Sequence, residues 1–287
     1  MPQYLLDLVF AMFAWWFGTG VVLYLNQLPE RTYRWSLSAA TLVMLASLYG
    51  LTQSAQDASS RGALLAFTQA LLVWAWMEMS YFTGALTGPD NSPCPEGARG
   101  WQRFRLALRT SLYHEMAVAA AGVLIILLTL DAPNPVGAWT YTTLWLMRWS
   151  AKLNLFFGVA NVHDEWFPQR LAYLSSYIRR QPMNLFFPLS VCAGTIAATW
   201  MFSAADTSDS FRMTSHVLVG TLLALGTLEH WFLVLPLRDS LLWQWALKAA
   251  RRAKQPGHDD PDKTTSLAVE LREKDRAARV ERAITAG

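Results

Sequence analysis

Seven apolar stretches, each about as long as the hydrocarbon core of a bilayer is thick, restrict this chain to one kind of fold. They cover approximately residues 4–25, 35–53, 62–84, 106–130, 135–161, 183–204 and 215–237. At 1.5 Å of rise per residue, about 20 residues cross roughly 30 Å of hydrocarbon. Backbone amides and carbonyls find no water there, so each crossing has to satisfy them internally, as a helix does. The expected fold is therefore all-α: a polytopic membrane helix bundle of about seven transmembrane helices over residues 1–247, followed by a charged cytoplasmic tail, 248–287, partly helical or disordered. A soluble protein with a large core is excluded by run length. The composition agrees, with 16% charged residues against roughly 25% in soluble domains. The 14 tryptophans suit a protein with many helix ends at the lipid–water boundary. A short Trp-bearing segment, Leu241–Leu247, follows Pro236 and is expected to lie along that boundary.

Orientation follows from the basic residues. The first, third and fifth connections and the tail hold 20 of the 24 lysines and arginines, among them Arg31, Arg34, Arg99, Arg103, Arg109, Arg170 and Arg179. The opposite connections hold Arg61 and Arg212 alone. Positive charge marks the cytoplasmic side, so the N-terminus is expected outside and the C-terminus inside, which requires an odd number of spans. No basic segment precedes the first apolar stretch, which reads as a retained span and not a cleaved leader. Cys94 and Cys192 give neither a disulfide framework nor metal-knuckle spacing. The sequence contains no glycine-rich phosphate loop, no Ser-His-Asp arrangement and nothing that argues for nucleic-acid binding. In the tail, Glu270 and Lys274 form an i,i+4 pair within a stretch of helix formers that could dock on anionic lipid.

Charge is expensive in hydrocarbon, so ionisable residues within spans need partners or a function. The third span carries Glu78, the fourth His114 and Glu115, the fifth Arg148 and Lys152, and the seventh Glu229 and His230. His163, Asp164 and Glu165 lie just beyond the fifth. Counted from each midpoint, Glu78, His114, Glu115, Glu229 and His230 fall about 5–8 Å to the cytoplasmic side, with Lys152 at a similar level. Asp7 sits near the outer end of the first span and is expected to reach water.

Three chemistries suit this inventory. Glu78, Glu115 and Glu229 can pair with Arg148 and Lys152, fixing helix register without doing chemistry. Glu78, His114, Glu115, His163, Glu165, Glu229 and His230 can instead supply ligands to a metal, as in carboxylate-bridged di-iron bundles. Against this, the Glu-x-x-His spacing of such sites is absent, and neighbours such as His114 and Glu115 point about 100° apart. In the third, a neutral imidazole of His114, His163 or His230 ligates the magnesium of a chlorophyll-type tetrapyrrole.

Trp15-Trp-Phe-Gly-Thr-Gly, Leu28-Pro-Glu-Arg-Thr-Tyr-Arg-Trp, Glu78-Met-Ser-Tyr-Phe-Thr-Gly, Leu112-Tyr-His-Glu, the run Lys152 to Glu165 and Leu228-Glu-His-Trp-Phe occur in that order over residues 5–247. Together they resemble the PuhE-type photosynthetic complex assembly proteins of purple phototrophic bacteria. The resemblance implies a multi-pass protein of the bacterial cytoplasmic membrane that helps build the photosynthetic reaction centre and its light-harvesting antenna or influences bacteriochlorophyll supply. It implies no defined catalytic chemistry. The expected partners are reaction-centre or light-harvesting subunits and membrane lipid, met through small residues such as Ala119-Ala120-Ala121-Gly122. A different class of function is a membrane oxidoreductase with a di-metal (iron) or haem centre acting on a tetrapyrrole or carotenoid. A transporter with proton-relaying carboxylates is a third.

Overall fold

A computed structural model describes residues 2–162, 168–236 and 239–254. Among them the regular structure is helical: α1 (Pro2–Gln27), α2 (Tyr33–Ser54), α3 (Ser60–Phe82), α4 (Gly100–Arg109), α5 (Leu112–Leu128), α6 (Val136–Phe157), α7 (Phe186–Ser203), α8 (Ser210–Phe232) and α9 (Gln244–Lys254). Five of these, α1, α2, α3, α7 and α8, are long and apolar enough to cross a membrane unaided. The bent pair α4–α5 makes a sixth when counted as one span. The remaining expected crossing, α6, has 22 residues, or about 33 Å of helix, which is sufficient length. Arg148 and Lys152 lower its hydropathy.

Four helices, α1, α3, α6 and α8, form the centre, with α8 the most buried. Their apolar interior includes Ala11, Phe67, Ala70, Val73, Tyr141 and Leu222. On the outside, α2 packs on α3, α7 on α8, and α5 on α6. Small residues allow the close approaches: a methyl group added at Gly194 of α7 would strike the Thr227 side chain of α8. Much of α2, α5 and α7 faces outward with large apolar side chains, among them Leu42, Tyr49, Leu127, Ile196 and Trp200. In a bilayer, lipid or another helix covers these faces.

The fourth apolar stretch departs from expectation. It is not one straight helix over 106–130, because α4 turns from α5 by 70°. Helix α4 is amphipathic: it carries Arg103, Arg105 and Arg109, with Trp101, Phe104 and Leu108 on its other side. The bend falls at Thr110 and Ser111, where the chain from 83 to 99 closes over it. His114 N–H donates to Thr87 O at 2.9 Å, satisfying an amide that the start of α5 leaves without a helical partner. Arg103 is buried and donates to the carbonyls of Phe156 and Tyr177, tying α4 to the end of α6 and to the 3-10 turns at Gln169–Tyr177.

Helix α6 ends at Gly158, whose φ of +123° is open to glycine and strained for other residues. The chain then pairs briefly with the approach to α7, Val159 N–H donating to Arg179 O at 3.1 Å. Asn184 holds this corner: its Nδ2 donates to Gly158 O and Asn154 Oδ1, and its Oδ1 accepts from the amides of Phe186 and Phe187.

The segment Leu241–Leu247, expected along the lipid–water boundary, docks on α1. It forms 3-10 turns (Asp239–Trp243) that run into α9, and both are sewn to α1. Trp16 Nε1 donates to Leu242 O at 2.8 Å and Trp243 Nε1 to Trp16 O at 2.9 Å, while Trp245 stacks on Phe17. Aromatic N–H groups in an apolar setting need such acceptors. The expected charged tail beyond residue 254 lies outside the described residues.

Candidate functional site

Of the polar residues that share a depth in the sequence, Glu78, Glu115 and Lys152 meet in space, from three helices. Arg148 of α6 is the hub. Its Nε lies 2.5 Å from Glu78 Oε1 of α3, and its Nη1 donates to Glu115 Oε1 of α5 at 3.0 Å. One turn further along α6, Lys152 Nζ donates to the same Glu115 oxygen and to Ser111 Oγ at 3.0 Å. Two carboxylates and two cations thus balance. The spacing explains the selection: Arg148 and Lys152 are i and i+4, so they stand on one face of α6. The Tyr81 ring covers both cations, with Arg148 Cζ and Lys152 Nζ each 5.3 Å from its centroid.

The histidines are disposed otherwise. His114 is fully buried behind Tyr81, ring centroids 4.7 Å apart, and neither ring nitrogen has a hydrogen-bond partner. His230 Nδ1 donates to Gly226 O at 2.7 Å, which leaves Nε2 to accept from Ser150 Oγ at 2.8 Å. Both of its nitrogens are engaged. His163 and Glu165 lie outside the described residues. Glu229, half-buried, lines an interior cavity.

Two cavities of about 290 Å³ each meet at this network. The first lies under α4 and the Gln169–Tyr177 turns, walled by Phe104, Leu108, Trp149, Leu153, Phe156 and Ile178, and reaches Glu115 and Lys152. The second lies among α1, α3, α6 and α8, walled by Trp15, Gly18, Leu71, Trp74, Met147 and Leu222. Glu78, Phe82, Arg148 and Ala151 border both, so the Glu78–Arg148 pair stands between them.

This geometry bears on the expected ligands. Among the described residues no three of His, Cys, Asp and Glu gather where a metal ion could sit. Arg148 occupies the space between Glu78 and Glu115 that a bridging metal would need. No described histidine lines either of these two cavities, so none presents a nitrogen to a tetrapyrrole within them. The described residues as arranged do not fit either group; His163 and Glu165 lie outside them. The Ala119–Gly122 run is likewise partly spent at home: Ala121 and Gly122 are buried, and Gly122 packs against Tyr141.

Sequence reasoning misplaced one carboxylate. Asp7 does not reach water; it is 1% exposed. Gln3 Nε2 donates to its Oδ1 and Thr214 Oγ1 to its Oδ2, both at 2.7 Å, and Thr214 Oγ1 lies 3.1 Å from Ser60 Oγ. The available signal was weak: Gln3 at i−4 on the same helix.

Among the described residues, a helical bundle with five or six apolar helices fit to span a membrane, and with a neutralised ion-pair network inside it, defines a multi-pass membrane protein with a polar core. The chain belongs to the DUF3623 family, described as proteins of unknown function, whose model matches residues 1–254. It is also similar to a protein of Rhodobacter capsulatus described as an uncharacterized 30.4 kDa protein in the puhA 5′ region, with 37% identity over 263 residues, 90% of this chain and 93% of the relative. No solved structure matches the chain.

Proposed function

We propose that this protein is an integral factor of the bacterial cytoplasmic membrane that assists assembly of the photosynthetic reaction centre and its core antenna or modulates bacteriochlorophyll supply. The observation that carries the reading is the relative in the puhA 5′ region, alike over nine-tenths of both chains. The PuhE-type motifs of this chain support it too, since Glu78, Glu115 and Lys152 of the network and its aromatic cover Tyr81 fall within them, while Arg148 lies outside them.

The physical role of the network follows from its balance. Removing charges from water costs several kcal/mol each, and two carboxylates shared between two cations offset that cost while fixing how α3, α5 and α6 meet. The outward apolar faces of α2, α5 and α7 are then held in one arrangement, ready for partner helices that pack laterally. In this reading α6 is a seventh crossing, tolerable in lipid because its charges face inward, and the basic loops lie in the cytoplasm.

An affinity-tagged chain, isolated in mild detergent from cells that are building photosynthetic membrane, tests the reading. Reaction-centre or light-harvesting subunits are expected to co-purify, and deletion of the chain is expected to lower assembled complex. Normal complex levels in the deletion strain, with no such subunit retained by the tagged protein, would overturn it.

A further inference from the structure

We infer that the cavity beneath α4 is a binding site for an uncharged, membrane-soluble compound with a hydroxyl-bearing ring, such as a quinol. The walls are overwhelmingly apolar and include the aromatic side chains of Phe104, Trp149, Phe156 and Tyr177, which suits a lipid-soluble ring compound. Its volume of about 290 Å³ suits a small ring compound or the head of a larger one.

The polar end of the cavity defines the head group. Glu115 is 7% exposed and its Oε2 has no hydrogen-bond partner, although Oε1 receives both Arg148 and Lys152. A buried carboxylate oxygen left so is short of a donor. Beside it, the Lys152 side chain is 30% exposed and uses two of its three N–H groups on Glu115 and Ser111. One hydroxyl answers both needs, since it accepts from the ammonium and donates to the carboxylate.

Charge selects further. Glu78, Glu115, Arg148 and Lys152 sum to zero, so a carboxylate, phosphate or ammonium head would bring an uncompensated charge into a low-dielectric space. An uncharged head brings none. The cavity is partly open, and Phe82 and Ala151 separate it from the second one, so the occupant need not enter the four-helix centre. The inference stands apart from the assembly reading, since neither requires the other.

The test uses the full chain in lipid nanodiscs and radiolabelled decylubiquinol kept reduced under anaerobic conditions. One saturable site per chain is expected beyond lipid partitioning. Decylubiquinone, which lacks the hydroxyl hydrogen, should bind about 10-fold more weakly, and decanoate and decyltrimethylammonium should not compete. Ala107→Trp, or the milder Leu108→Phe if the first variant fails to fold, fills this cavity and should abolish saturable binding. Leu71→Trp fills the second cavity and should leave binding intact. Absence of a saturable site, equal binding of quinone and quinol, competition by decanoate, or binding unchanged in a folded cavity-filling variant would each overturn the proposal.

Discussion

Two buried carboxylate clusters, one at each side of the bundle, solve the same problem by different means. Around Arg148, the charges of Glu78 and Glu115 are met by opposite charges from another helix. Around Asp7 no cation takes part in the hydrogen bonds: Gln3 and Thr214 donate, and Ser60 stands behind Thr214. The cluster draws on three helices near their starts, α1 from Pro2, α3 from Ser60 and α8 from Ser210. The first cluster uses strong, long-reaching pairs and tolerates no missing member. The second uses short-range hydrogen bonds whose donors and acceptors can exchange roles. The two should therefore respond unequally to equally conservative substitutions.

Arg148→Met gives the largest expected effect. It removes the hub and leaves Glu78 without a partner in the network and Glu115 with Lys152 alone. Breaking a buried pair by deleting one partner costs about 3–5 kcal/mol. Detergent-solubilised protein should unfold at clearly lower SDS fraction and temperature than the parent. A stability within about 1 kcal/mol of the parent would mean that water reaches the network freely, and the contrast between the clusters would collapse.

How much of this was legible in the sequence differs between the same two regions. The Arg148 cluster could be read because charge in hydrocarbon is rare and helical rise is regular, so depth alone brought Glu78, Glu115 and Lys152 to one level. Depth does not give azimuth, however, and so it could not tell a cation-bridged pair of carboxylates from a metal-bridged one. The Asp7 cluster was hidden because its partners, Gln3, Ser60 and Thr214, are unremarkable polar residues, two of them far away in the chain. Proximity to a helix end was read as access to water, whereas α3 and α8 close over Asp7. The bend at Thr110–Ser111 was missed for a related reason. Leu106 and Leu108 extend the apolar run into α4, and hydropathy is blind to the direction a helix takes once its arginines reach the boundary. Helix existence was the most legible feature, because lipid permits few alternatives. The docking of Trp243 and Trp245 on α1 depends on shape and could not be read from pattern.

Thr214→Val sharpens the comparison at the other cluster. Valine keeps the volume of threonine and removes the hydroxyl, so Asp7 Oδ2 loses its donor and Ser60 loses a neighbour. A hydrogen bond to a charged group is worth about 1.5–3 kcal/mol and a neutral one about 1 kcal/mol. A loss of roughly 1–2 kcal/mol in the same SDS titration is expected, smaller than that of Arg148→Met. A loss as large as that of the arginine variant would show that Asp7 depends on Thr214 as strictly as Glu115 depends on its cations.

The smallest effect is expected for Asp7→Asn. The asparagine Oδ1 still accepts from Gln3 Nε2, and its Nδ2 can donate to Thr214 Oγ1. Thr214 then turns its hydroxyl hydrogen toward Ser60 Oγ, 3.1 Å away, and Ser60 continues to donate to Ser210 O at 3.0 Å. Every group keeps a partner because the Thr214 hydroxyl can donate toward Ser60 as well as toward residue 7. The change should cost less than about 1 kcal/mol. No such reversal is open to Glu115, since neither Lys152 nor Arg148 can accept a hydrogen bond. A loss of several kcal/mol in Asp7→Asn would mean that the carboxylate charge itself holds the three helix starts together, and the two clusters would then be alike in kind.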